Sequence, residues 1–322
     1  MRKLFASLAV LFLLTSFQSC LLLLGGIAVA SNSKMNSTTN SAYSDDELAM
    51  LKNTTTFFVL RDQDYDMKEA YEKAIRKVWT VTPIEFIFYD ELANTTDGRY
   101  SYFIMEVPKF KDNAGPGQFF YELPYLRLSL VIPEWEEKKN GKFKDESTRY
   151  GMVNLLLKES KNWNADEFFE QGKGYRDLYG STELVNWKPN LMAAYLKQIN
   201  DDLITGDQNV NPYRDFKDGE AISKLHGETL LVPKEFIYNW NLNAEGLEPE
   251  KIFKKYRGKY KVVDFEELEV ELASNKNVYF LDAGIPRINM FFSRVISTKD
   301  GLVYARIHNL PLLRANAIAK IK

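Results

Sequence analysis

The chain has 322 residues, 45% hydrophobic, 27% charged and 14% aromatic, with net charge −2 from 42 basic and 44 acidic side chains. This is the composition of a folded globular protein and excludes a disordered, collagenous or multi-span membrane chain. The near-neutral balance argues against a nucleic-acid binder, the two histidines exclude a His-rich metal site, and the single cysteine, Cys20, excludes an intrachain disulfide.

Arg2 and Lys3 precede an almost wholly apolar run from Leu4 to Ile27, and Ala28-Val29-Ala30 follows with small residues at −3 and −1. This is the three-part pattern of a secretory signal peptide over residues 1–30. Three readings compete. The first is cleavage after Ala30, which removes Cys20 with the leader. The second is a lipoprotein anchored through Cys20, against which Phe17 at −3 and the leucine run after the cysteine both count. The third is an uncleaved anchor, since about 20 apolar residues span a bilayer. All three place the folded part outside the cytoplasm, periplasmic, secreted or anchored at the N-terminus. A cysteine-free exported body fits a bacterial envelope better than a disulfide-forming secretory route. Asn36, Asn53 and Asn94 begin N-x-[ST] triplets, read here as chance in an Asn/Thr-rich chain.

Residues 31–44 are small and polar and read as a flexible tether. Ser44 with Glu47 three residues on forms a capping box for a short helix to Lys52. An N-terminal α/β domain is expected over 45–160. Its strand Thr54–Leu60 precedes a helix Asp66–Trp79 bearing Met67, Ala70, Tyr71, Ala74, Ile75 and Val78 on one face. Strands Ile84–Tyr89, Tyr100–Val107 and Tyr125–Ile132 follow, and Asp90-Glu91-Leu92 follows the first of them. A helix Ser147–Ser160 closes the unit.

A helical connector is expected over 161–226, with helices at 165–171 and at Pro189–Ile204. The second of these is amphipathic through Leu191, Met192, Tyr195, Leu196, Ile199 and Leu203. A polar loop, Gly206–Gly219, follows within the connector. A C-terminal α/β domain over 227–322 repeats the first pattern. Its strands are Glu228–Val232, Tyr260–Phe265, Asn277–Leu281, Ile288–Ile296 and Leu302–Ile307. A helix opening at Glu248-Pro249 lies between the first two, and Gly258 ends it. Glu266-Glu267-Leu268 follows the second strand, Lys299-Asp300-Gly301 makes a hairpin turn, and Asn309 caps a last helix. The fold class is therefore α/β (α+β), with two βαβββα-like mixed-sheet domains joined by the connector, either a divergent duplication of one unit or a chance recurrence of a common βαβ pattern.

Little in the chain matches a catalytic constellation. Gly172-Lys173-Gly174 and Gly180-Ser181-Thr182 lack phosphate-loop spacing, and His226 and His308 precede a strand and a helix cap. Asp207, Asn209 and Asn211, with Asp215 and Asp218, follow calcium-loop spacing, although Pro212 stands where glycine makes the turn. A calcium-dependent module is thus one alternative. Another is an extracytoplasmic hydrolase with a carboxylate pair, for which no pair is singled out. Trp135, Trp163, Trp187 and Trp240 fall in expected loops or helix starts and are candidates for an exposed partner-binding surface.

The strand–helix–strand order of Glu228–Leu268, with Tyr260-Lys261-Val262-Val263-Asp264-Phe265-Glu266-Glu267-Leu268, resembles the βαβ-type domains of bacterial envelope proteins. Examples are the N-terminal domain of the Tol–Pal translocation protein and the curli-export lipoprotein. The resemblance covers the C-terminal third and more weakly the first copy, and no catalytic residue transfers with it. It implies envelope assembly or binding, and together with the export signal and the absence of a catalytic constellation the expectation is an exported, non-enzymatic protein that binds an envelope protein or small ligand partner.

Overall fold

The computed structural model describes residues 45–94, 99–107, 125–132, 149–158, 174–205, 215–238, 248–274, 276–287, 290–308 and 321. Helix α1 (Asp45–Lys52) leads into β1 (Thr55–Leu60). A 3-10 turn (Asp62–Met67) and α2 (Lys68–Ile75) cross over to β2 (Ile84–Phe88). A second 3-10 turn (Tyr89–Asn94) leads to β3 (Tyr100–Glu106), β4 (Tyr125–Val131) and β5 (Arg149–Leu156). Helices α3 (Tyr175–Ser181) and α4 (Pro189–Thr205) lie between the sheets in sequence, followed by β6 (Phe216–Lys217) and α5 (Gly219–Leu225). The second sheet then runs β7 (Thr229–Pro233), α6 (Lys234–Tyr238), α7 (Pro249–Phe253), β8 (Lys259–Val263), α8 (Phe265–Ala273), β9 (Tyr279–Arg287), β10 (Met290–Ser297) and β11 (Gly301–His308).

The two sheets repeat one plan. The first has the order β2-β1-β3-β4-β5 and the second β8-β7-β9-β10-β11, extended at β11 by the two-residue β6. In each, the first strand is parallel to the second and third, and the fourth and fifth add antiparallel. The repeat expected from the sequence therefore holds in both strand order and strand sense. The hairpin at residues 299–301 also forms, and Gly301 supplies its left-handed backbone (φ +75°).

The last element of the first copy differs from expectation. Residues 149–156 form a strand, not a helix. Tyr150, Val153, Asn154 and Leu155 are all buried, so both faces of β5 are covered. Such a strand loses its alternation and reads like a buried helix. Gly151 suits this strand: a Cβ there would stand 2.6 Å from Ile199 of α4, so glycine lets the helix cross closely. The unit is thus βαβ followed by a helical turn and three strands. The helix expected from Asn309, and the one expected at 165–171, lie outside the described residues.

Each parallel pair has a helical crossover on one face. Phe58 packs on Tyr71 of α2 and on Trp187, and its cross-strand partners Phe86 and Phe103 lie on the same face. In the second sheet, Leu230, Val232, Tyr279, Leu281, Val295 and Val303 pack on Ile222 of α5 and on Ile252 and Phe253 of α7. Its other face, with Leu231, Phe280 and Ile296, belongs to the same large core as the first sheet.

Helix α4 is what joins them. It touches α2, α8, β5 and β11, and Leu191, Met192, Ala194, Tyr195, Leu196, Ile199 and Leu203 are buried. The stripe expected on one face is buried, and so are Ala193, Gln198 and Asn200 beyond it. That is the pattern of a helix covered on most sides. Residues 43–322 accordingly form one compact unit. No helix among the described residues is long and apolar enough to cross a membrane.

Candidate functional site

Among the described residues, two clusters of buried ionisable groups stand out, one beside each sheet. At the end of β1, Arg61 is 7% exposed and Asp64 4%. Arg61 donates to both oxygens of Asp64, through Nε at 2.9 Å and Nη2 at 2.7 Å, and its Nη1 reaches the Thr182 carbonyl at 3.2 Å. Trp187 Nε1 also donates to Asp64 Oδ2 at 2.7 Å, while the guanidinium lies 5.4 Å from the Trp187 ring centroid. Tyr71 then donates to the Trp187 carbonyl at 3.2 Å. Burial, with the Asp64 charge nearby, raises the Tyr71 hydroxyl far above the ordinary tyrosine range.

The second cluster lies where α4 meets the second sheet. Arg294 Nε donates to Asp282 Oδ2 at 2.6 Å and Tyr195 donates to Oδ1 at 3.0 Å. The Arg294 guanidinium is 4.7 Å from the Phe292 centroid. Burial and the adjacent Asp282 carboxylate push the Tyr195 hydroxyl well up. Asn186, fully buried, extends the network to β5, donating to the Asn154 carbonyl at 2.8 Å and accepting from Leu156 N at 2.7 Å.

Both aspartates therefore have each oxygen occupied by an internal donor. A carboxylate so held is oriented and desolvated, and it serves position and registry. A third carboxylate works at a helix end. Glu269 of α8 accepts from the Asn190 and Leu191 amides at 2.9 and 3.0 Å, and from Asn190 Nδ2 at 2.8 Å. It thereby satisfies amides in the first turn of α4, where a negative charge also meets the helix dipole. Burial nonetheless keeps the Glu269 carboxyl above the ordinary glutamate value.

Asp300, in the β10–β11 turn, gathers four donors. They are Ser297 Oγ at 2.9 Å, Asn277 Nδ2 and the Tyr279 hydroxyl at 3.1 Å, and Lys224 Nζ at 3.2 Å. Burial pushes this carboxyl up, but the four donors together hold it below the ordinary aspartate value.

The residues singled out in the sequence are distributed differently. Trp187 is 2% exposed and packs in the first core, so it forms no part of an exposed binding surface. Its apparent loop position is a buried approach to α4, fixed by the Asp64 hydrogen bond. Trp135, Trp163, Trp240 and Cys20 lie outside the described residues. So do Asp207, Asn209 and Asn211 of the calcium-loop spacing. Asp218 caps α5, accepting from the Glu220 and Ala221 amides at 2.9 and 3.0 Å. Asp215 accepts from Ile307 N at 2.9 Å, beside the β6–β11 pairing. Each therefore has a local task in the backbone. Among the described residues no cluster of three or more acidic, histidine or cysteine side chains has the geometry to hold a metal ion.

Arg61–Asp64 and Asp282–Arg294 belong to no sequence motif. The first pair lies three residues apart at a strand end, a readable spacing. The second joins adjacent strands through a register visible only in the sheet. The fold is that of an α/β protein built from two mixed sheets of the same strand order. No family model matches the chain, and comparison with curated proteins and with solved structures finds no match.

Proposed function

We propose that this is an exported, non-enzymatic envelope protein that binds a protein or ligand partner, its two α/β units acting as one frame. The saturation of Asp64 and Asp282 is the observation that carries the reading: the most buried carboxylates are committed to holding elements in place. The basic, apolar and Ala28-Val29-Ala30 segments support export, and the polar stretch 31–44 supports a tether ahead of the frame. The resemblance of Glu228–Leu268 to envelope βαβ domains agrees with binding. The test is fractionation of bacteria producing the full chain with a C-terminal tag. The expected result is tagged protein in the periplasmic, membrane or culture fraction, degraded by protease once the outer barrier is opened. Full-length protein confined to the cytoplasm and shielded from protease would overturn the proposal.

A further inference from the structure

Tyr65 is 73% exposed and Met67 46% exposed on the 3-10 turn that follows β1. Among the described residues few large apolar side chains are this exposed, and two of them share one turn. The turn is anchored from beneath, because Asp64 is tied to Arg61 and Trp187. Burying Asp64 turns its neighbour Tyr65 outward. The Tyr65 ring is steadied by Phe88, which it stacks at 5.6 Å and 26°. Lys68 Nζ stands 5.4 Å from the Phe88 centroid. The platform also lies at the carboxyl ends of the parallel strands β1 and β2, where open α/β sheets present their binding groups. An aromatic ring already ordered in the free protein loses little side-chain entropy on association.

The rim is acidic. Asp62, Asp66 and Glu69 are exposed on the same segment, and none forms an ion pair among the described residues. Of the cations close by, Lys68 lies over Phe88 and Arg176 is engaged with Asp90. Charge complementarity therefore selects the occupant. We propose that the Tyr65 platform docks a basic, arginine-bearing protein segment, with guanidinium groups stacking on Tyr65 and pairing with Asp62, Asp66 and Glu69. This inference gives a surface to the partner-binding reading above, and it can fail while the export experiment succeeds.

The probes are a deca-arginine peptide, a deca-glutamate peptide and chitohexaose, titrated against the full chain by calorimetry at low and high salt. The expected result is saturable binding of the arginine peptide alone. Tyr65→Ala should weaken it at least about tenfold, Tyr65→Phe little, and Asp62→Asn with Asp66→Asn about tenfold with a shallower salt dependence. These side chains are exposed, so an unchanged unfolding midpoint will show that each variant is folded. Arginine-peptide binding indifferent to Tyr65→Ala would overturn the proposal, because it would be unlocalised attraction. So would absence of binding, or saturable binding of chitohexaose in place of the peptide.

Discussion

Asp282→Ala breaks the buried ion pair of the second sheet. Asp282 is 3% exposed and Arg294 5%. The substitution removes the acceptor of Arg294 Nε at 2.6 Å and of the Tyr195 hydroxyl at 3.0 Å. It leaves a guanidinium buried without its counter-charge, which costs about 3–5 kcal/mol. For a body of this size each kcal/mol lowers the melting temperature by about 2 °C, so the midpoint should fall by about 6–10 °C. Circular dichroism during thermal and urea unfolding measures this directly. The double variant Asp282→Leu/Arg294→Met removes both charges and should recover most of the loss, since an apolar pair of similar volume is often neutral or better. A shift of under about 1 °C for Asp282→Ala would refute the reasoning. A double variant as unstable as Asp282→Ala would also refute it, because the defect would then be lost packing and not the stranded charge.

Three further outcomes follow from other parts of the fold. Gly151→Val drives a side chain into Ile199, 2.6 Å from the site of a Cβ, and should cost about 1–3 kcal/mol in urea unfolding, with Ile199→Ala restoring part of it. Asp300 is held below the ordinary aspartate value when folded, so it contributes stability above the unfolded pKa of about 4, and loses it as pH falls through the lower folded value. Asp300→Asn should therefore lower the urea midpoint at neutral pH and narrow the gap to the parent chain in acid. Strand β2 ends its sheet, and because Thr56 N bonds the Pro83 carbonyl, Ile84, Phe86 and Phe88 turn their backbone groups to the open edge. Arg76 Nη1 covers the Ile84 carbonyl at 2.6 Å and Glu91 Oε2 the Phe88 amide at 2.7 Å. Arg76→Ala with Glu91→Ala should expose the edge and raise self-association in light scattering.

The parts of the fold legible in the sequence were those with a local cause. The apolar stripe of Leu191 to Leu203 gave α4 nearly to the residue, and Lys299-Asp300-Gly301 gave its hairpin turn because glycine alone readily adopts that backbone. The repeated succession of strands along the chain was readable because each strand is short and bounded by turn residues, whereas their order in the sheets is set by pairing between distant segments. Strand β5 was not, since burial on both faces erased its alternation. Helix α8 carries a local signal in its cap, since Asp264 accepts from the Glu267 amide at 2.8 Å, three residues on. Phe265, expected at the end of the preceding strand, is its first residue, because the Asp264 cap ends the strand at Val263. Trp187 illustrates the opposite limit. Its loop-like neighbourhood suggested a surface, and only the tertiary contacts with Phe58, Tyr71 and Asp64 made it core. The exposed Tyr65 platform was equally invisible, because it sits inside a segment adjoining an amphipathic helix.

The claim that the two repeated units act as one frame rests on α4, whose side chains belong to a core containing residues of both sheets. Differential scanning calorimetry of the full chain tests it most directly. The account predicts one transition whose calorimetric and van't Hoff enthalpies agree, shifted as a whole by Asp282→Ala. Two resolved transitions, with only one moved by that substitution, would contradict it.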